Sequence, residues 1–382
     1  MAGRLMSGLG ISRVTDVTRM DKLGLPVFAS IRPRGLALCV NAGKGLKPME
    51  ARAGALMEAV EYAAAEPCRS AWRPVTLRVD ELEAAWDGRM HMIELAPYVG
   101  PPAPSGRRLD TIRCEDVAGG PSLPVPAELI FVPFDDPHGP PLFGWTTNGL
   151  ASGNSIAEAT LHGLLELLER DALAMNTPCD ASCWIDPDSL PEPIGGLASM
   201  WRRRGVSLSV RHVPNEFRLP CFGALLHEGD GATVDLSAGS GLHVDAGIAL
   251  ARAVCEAAQS RLSHIHGGRD DITRFYAKFE TPEGRAQDAR ETLAYREAFD
   301  TRRRIDWSDV PSQPLAESID AQLAALLEQL RGHGFDKVLR HRFDLDLGGL
   351  CVVKIVVPRL EEIDTPWRRI GPRLLERITA DV

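Results

Sequence analysis

Residues 158–169 read EATLHGLLELLE, and residues 50–61 read EARAGALMEAVE. Laid over one another they agree at Glu50/Glu158, Ala51/Ala159, Leu56/Leu164, Glu58/Glu166 and Glu61/Glu169, all at one constant offset. On a wheel of about 100° per residue, Glu158, His162, Glu166 and Glu169 share roughly a quarter of the circumference. Leu161, Leu164, Leu165 and Leu168 form a separate apolar stripe, as an amphipathic helix requires. In the earlier stretch Glu58 and Glu61 lie on one side, with Leu56 and Val60 near the opposite one. The spacing predicts helices over about 47–65 and 156–175.

Each helix follows a glycine-rich segment: AGKGL (42–46) before the first and NGLASGN (148–154) before the second. A third copy follows AGSGL (238–242), where Glu256 and Gln259 repeat the three-residue step of Glu58/Glu61 and Glu166/Glu169. The pattern is read as a glycine-rich turn, a helix, and acid-x-x-acid or amide, three times over. On a single helix the acids are a solvated face, since carboxylates three apart repel by only about a few tenths of a kcal/mol. Two copies carrying the same acids change that reading. Duplicated helices that face one another across a pseudo-two-fold axis bring four carboxylates together, and such a cluster needs cations. Magnesium takes carboxylates and substrate phosphates together, and glycine-rich amides at helix N-termini hold phosphate. The expectation is a nucleoside triphosphate bound through Mg2+ without a P-loop, because GxxxxGK[ST] is absent. Arg170, Arg261 and Arg269 supply guanidinium groups suited to phosphate.

Composition narrows the class. The 382 residues carry a net charge of −9 and 44% hydrophobic content, enough for a large core. No basic run or basic–aromatic patch occurs, which argues against nucleic acid and anionic membrane as partners. Eight cysteines lie scattered without Cys-x-x-Cys spacing, which disfavours a zinc site and fits a reducing cytoplasm. Cys39 and Cys351, in apolar runs, are expected in the core. The opening MAGRLMSGLGISRV lacks a signal-peptide core, and no apolar run is long enough to span a membrane.

Along the chain, LPVFASIRP and LALCVNAG read as paired buried strands. RPVTLRVDELEAAW reads as a strand and a short helix, and PAELIFVPF as a strand. VSLSVRHVPN and LPCFGALLHE form an antiparallel pair, 281–304 a solvated helix, and CVVKIVVPRL a strand buried on both faces. Strands and helices alternate without a βαβ rhythm, so the fold class is α+β.

Taken together, GKGL…EARAGALMEAVE, NGLASGN…EATLHGLLELLERDA and EAAQSRLSHIHGGRDD resemble the YcaO family of ATP-dependent enzymes, over about residues 11–360. The opening ISRVTDVTRMDKLGLPVF is most similar to the subgroup that works with TfuA-like partner proteins. The resemblance implies one catalytic domain over 1–382, with repeated strand, turn and helix units around a central nucleotide site and a tail at 361–382. It implies ATP and Mg2+ as cofactors, a precursor peptide or protein as substrate, and a homodimer. The chemistry implied is O-phosphorylation of a backbone amide: sulfide then gives a thioamide, whereas a neighbouring side chain gives an azoline. Macroamidine formation is a related alternative. Glu58, Glu61, Glu166 and Glu169 match the family's Mg2+-coordinating acids and, with Arg170, form the expected catalytic set. Asn154, Glu158 and Arg170 match nucleotide contacts, and His162 stands where glutamine or histidine is usual. Lys44 and Arg261 match phosphate contacts, with Arg269 as a further candidate. Gly54 and Ala151 depart from the family's hydroxyl residues, although Ser152 is adjacent. No proline follows Pro372, unlike the Pro-x-Pro-x-Pro ending of many azoline-forming members, which favours the thioamide reading. A reading from another class makes the chain a peptide-binding adaptor without ATP turnover, and the four intact acids weigh against it.

Overall fold

In the computed structural model the described residues are 6–69, 72–229, 234, 236–269, 271–272, 281–299, 303–362 and 369–380. In chain order the first strands and helices are β1 (Arg13–Asp16), β2 (Val27–Ile31), β3 (Val40–Lys44), α1 (Pro48–Ala65), β4 (Val75–Arg78), α2 (Val79–Trp86), β5 (Arg108–Asp116), β6 (Leu123–Pro126), β7 (Leu150–Gly153) and α3 (Ile156–Asn176). They are followed by β8 (Cys183–Ile185), α4 (Ile194–Arg203), β9 (Ser207–His212), β10 (Cys221–His227), β11 (Leu236–Leu242) and α5 (Ala246–His266). The remainder comprises α6 (Pro282–Phe299), β12 (Arg304–Ile305), α7 (Ile319–Gly332), β13 (Leu339–Arg342), β14 (Cys351–Val356) and α8 (Pro372–Ala380). The mixture is α+β, as expected.

Two compact units share the chain: unit I comprises residues 2–59 and 180–315, and unit II residues 60–179 and 316–382. In unit I, β1, β2 and β3 form an antiparallel sheet in which Val27 pairs with Lys44 and Ile31 with Val40. A second sheet runs β11-β10-β9-β8-β12. Its core, with Trp201, Phe222, Leu226, Leu250 and Val254 all buried, lies among α4, α5 and the sheet. In unit II the sheet order is β4-β5-β13-β14-β7, with β6 paired to β5. Strand β14 is central, between β13 and β7, and Val352, Val353 and Ile355 are buried. This agrees with its unbroken apolar run.

The three glycine-rich segments are not turns, and the reading of them as such is corrected. AGKGL begins within β3, NGLASGN contains β7, and AGSGL is the end of β11. Each strand is covered by the helix that follows it. A Cβ on Gly153 would stand 2.7 Å from the Ala159 nitrogen, and one on Gly45 3.0 Å from the Ala51 nitrogen. These are equivalent places in the first two repeats. A Cβ on Gly43 would overlap the backbone of Ala51 and Ala55, and one on Gly241 that of Ala249 and Ala253, which makes the same match between the first and third repeats. Glycine is needed here for close backbone approach.

Two further expectations are overturned. PAELIFVPF forms no strand: β6 ends at Pro126, and Ala127–Leu129 is a 3-10 turn. Pro126 and Pro133 cannot donate to a ladder. The segment instead buries Glu128, whose carboxylate accepts from the N–H groups of Leu142 (3.0 Å), Phe143 (2.7 Å) and Gly144 (3.1 Å). Cys39 and Cys351 are partly exposed rather than core residues, because each stands at the start of its strand or just before it.

Candidate active site

Glu58 lies on the unit I side of α1. Its Oε2 accepts from the Ala42 N–H at 3.0 Å, so the strand that precedes the helix also holds the acid. Loss of water around Glu58 is the largest influence on its carboxyl and raises its pKa. The charges of Lys44 and Arg269 and the Ala42 hydrogen bond oppose that rise, and Glu256 adds to it. The Lys44 Nζ is paired with the Glu256 Oε2 at 2.7 Å, and Arg269 with Asp271 at 2.6 Å. From α5, the Gln259 Nε2 donates to the Ala42 carbonyl at 3.0 Å. Thus Lys44, Glu58 and Arg269, all expected at the site, are brought together within unit I.

Arg261, expected as a phosphate contact, is engaged by protein groups in this structure. It is buried; its Nε donates to Asp21 (3.1 Å), its Nη1 to the Val234 carbonyl (2.7 Å) and its Nη2 to Glu228 (2.5 Å). Lys22 also pairs with Glu228.

Unit II holds the other acids. The Glu61 Oε1 accepts from both the N–H (2.9 Å) and the hydroxyl (2.5 Å) of Ser152 on β7. The hydroxyl of the serine beside Ala151 is therefore directed at Glu61. At the start of α3, Ser155 caps the helix by accepting from the Glu158 N–H. The Glu158 carboxylate in turn accepts from the backbone N–H (3.0 Å) and side-chain Nδ2 (3.1 Å) of Asn154. The expected pair Asn154–Glu158 is thus one hydrogen-bonded unit. His162 is exposed one turn on, Glu166 is half-buried, and Glu169 is buried with Arg170 Nη1 at 3.7 Å. The polar face of α3 runs from solvent inward, which the wheel could not show.

Lys354 was not anticipated. It projects from β14 and is 1% exposed; its Nζ donates to the carbonyls of Thr146 (2.5 Å) and Asn148 (2.6 Å). Burial lowers its pKa to about 8, while Glu362 and Glu166 oppose the fall and Arg369 adds to it. The Thr146 hydroxyl donates to Glu362 (2.9 Å), which Arg369 approaches at 3.4 Å. The signal for Lys354 was a single cation in CVVKIVV. Asp171, beside Arg170, is likewise buried and was missed. It accepts from the Glu361 N–H (2.8 Å) and Arg373 Nη1 (2.5 Å). The Glu361 carboxylate then accepts from the N–H groups of Gly371 (2.8 Å), Arg373 (3.0 Å) and Leu374 (3.1 Å) at the start of α8.

The donor set is chemically suited to Mg2+ and a triphosphate. Glu58/Glu61 and Glu166/Glu169 present hard carboxylate oxygens at one-turn spacing, and lysine and arginine charges stand beside them. Among the described residues, no group of three or more His, Cys, Asp and Glu side chains stands at metal-binding spacing. Among the same residues, no helix is long and apolar enough to cross a membrane. A groove of about 620 Å3 in unit I, lined by residues such as Leu46, Glu192, Asp245, Ile248 and Trp307, includes none of the expected site residues.

Residues 42–361 match the family described as YcaO cyclodehydratase, ATP- and Mg2+-binding. The chain is 31% identical over 386 residues to a protein of Rhizobium leguminosarum bv. trifolii described as lying in the tfuA 3′ region, covering 97% of this chain and 88% of that protein. Among solved structures it is similar to YcaO from Methanopyrus kandleri bound with AMPPCP and Mg2+, with a TM-score of 0.71, 23% identity, and coverage of 97% of this chain and 92% of that one. It is also similar to a heterocyclase in complex with substrate and cofactor, with a TM-score of 0.74, 19% identity, and coverage of 98% and 54%. The chain spans about half the length of that heterocyclase.

Proposed function

The chain belongs to the YcaO family, and on that premise we propose that it uses ATP and Mg2+ to phosphorylate a backbone amide oxygen of a peptide or protein, giving a thioamide with a TfuA-like partner. A sulfur nucleophile adds to the amide carbon, and the carbonyl π pair moves to oxygen. That oxygen takes the γ-phosphoryl group of ATP, with ADP leaving. The C–O bond then breaks, phosphate departs with the electron pair, and a proton is lost as the thiocarbonyl forms. Phosphorylation is needed because an amide oxygen is a poor leaving group; the protein's task is positioning and charge neutralisation.

Glu58, Glu61, Glu166 and Glu169 are proposed to hold Mg2+, which when bound supplies neutralisation of phosphate charge. Lys44, Arg170 and Arg269 orient phosphate oxygens; Asn154, Glu158 and His162 contact the nucleotide. Glu61 is held by Ser152, and Glu58 by Ala42, so each acid enters the reaction already aimed. The observation that carries the reading is the repeated build of the two acid pairs: each follows a glycine-bearing strand pressed on its own helix, and each lies beside a lysine, Lys44 or Lys354. The relative from the tfuA 3′ region supports the TfuA-like partner and hence the thioamide. A homodimer and a single catalytic domain with a tail at 361–382 belong to the same proposal.

The test is incubation of the purified protein with ATP, Mg2+, a sulfide source, the TfuA-like partner and a candidate peptide, followed by phosphate and mass measurements. A product heavier by the difference between sulfur and oxygen is expected. Loss of one water would assign azoline chemistry instead, and nucleotide binding without phosphate release would assign the adaptor reading.

A further inference from the structure

The three helices repeat an acid step, yet the third ends in an amide. The structure gives a reason. The partner of Glu61 is a pair of donors, the N–H and hydroxyl of Ser152, so an acceptor is required at 61. The partner of Gln259 is a carbonyl, that of Ala42 at 3.0 Å, so a donor is required at 259. A carboxylate cannot serve there. The other member of the third step, Glu256, is spent on the Lys44 ammonium at 2.7 Å. One helical step therefore grips β3 at two alternate residues, Ala42 and Lys44. These are the residues that govern Glu58: the Ala42 N–H binds its carboxylate, and the Lys44 charge acts on it.

We propose that Glu256 and Gln259 are positioning residues that clamp β3, so that its Ala42 N–H and Lys44 ammonium hold the Glu58 carboxylate in place, and that the third repeat has no part in metal binding. The clamp rests on the reading of Glu58 as a Mg2+–ATP acid. Glu256 also brings a negative charge towards Glu58, which is tolerable only because Lys44 stands with it.

Gln259→Glu separates the two roles. As a clamp residue it loses its donor and sets a carboxylate against a carbonyl; the KM for MgATP is expected to rise about tenfold with a smaller change in kcat, and Mg2+ affinity in the presence of a non-hydrolysable ATP analogue is expected to fall. If the third step were a ligand pair, Gln259→Glu would tighten Mg2+ binding in calorimetry, and that result, or unchanged KM, overturns the proposal. A second variant, Lys44→Glu with Glu256→Lys, restores an ion pair of reversed sense. The thermal midpoint is expected to stay near wild type while MgATP binding stays impaired; recovery of wild-type KM would reduce the pair to a structural role. Should the wild type itself bind no MgATP analogue, the reading of Glu58 fails, and amide hydrogen exchange over 40–44 still decides the clamp. Faster exchange there in Gln259→Leu supports it, and unchanged exchange overturns it.

Discussion

The repeats β3–α1 and β7–α3 place Glu58 and Glu166 on the same step of the same build, but the cation beside each comes by a different route. Lys44 stands on the strand that leads into its own helix, is partly exposed, and is held by one carboxylate, Glu256. Lys354 stands on β14, the antiparallel neighbour of β7, is fully buried, and is held by two backbone carbonyls. The repeat thus covers the acids and the strand–helix contact, whereas the counter-charges stand on non-equivalent strands. A repeat search finds the shared acids and passes over cations that stand at non-equivalent places.

If the two acids are equivalent in function despite this difference, Glu58→Gln and Glu166→Gln will each lower turnover by about a thousandfold or more, because the acids act as one unit. Phosphate release with ATP, Mg2+ and peptide measures it. Near-full activity in either variant would break the equivalence and remove that acid from the metal set.

The lysines are expected to diverge in stability. Lys354→Met strips the carbonyls of Thr146 and Asn148 of their donor and removes the buried positive charge that acts on Glu362 and Glu166, at a cost of about 3–5 kcal/mol. Lys44→Met, at a partly exposed pair, costs about 1 kcal/mol or less. Urea unfolding of both variants distinguishes them, and equal losses would erase the contrast.

The pH dependence sharpens it further. Lys354 falls from 10.5 to about 8 on folding. Between these values the unfolded chain holds a proton that the folded chain has released, so stability rises with pH. That contribution is complete above 10.5 and is lost as pH falls through about 8. Wild type should therefore gain on Lys354→Met as pH is raised across this window, whereas a constant difference in unfolding free energy would count against a buried titrating lysine. The smallest effect is expected from Ser152→Ala. Glu61 keeps the backbone N–H and loses one hydroxyl bond, so the KM for MgATP should rise several-fold, about 1 kcal/mol in binding.

Much of this was legible beforehand. Helix α1, helix α3 and the β2–β3 pair follow from apolar spacing, and the acids follow from the repeat. What escaped notice depended on neighbours distant in sequence. The glycine segments read as turns because a glycine pressed on a helix and a glycine at a turn look alike in one dimension. PAELIFVPF has the composition of a strand, but its prolines and buried Glu128 follow other rules. Lys354 sits inside a run whose apolar character dominates its reading, and the partners of Arg261, Asp21 and Glu228, lie far from it in sequence. Gln259 reads in one dimension as a variant of the acid step, although its amide is what the Ala42 carbonyl demands.

The link from Asp171 through Glu361 to α8 has a practical side. Cutting the chain before Gly371 would deprive the Glu361 carboxylate of three N–H donors and Asp171 of its guanidinium, stranding two buried anions next to the helix that bears Glu166 and Glu169. Helix α8 works like a buckle on α3, and loosening it is a way to shift the proposed metal-binding acids without touching them.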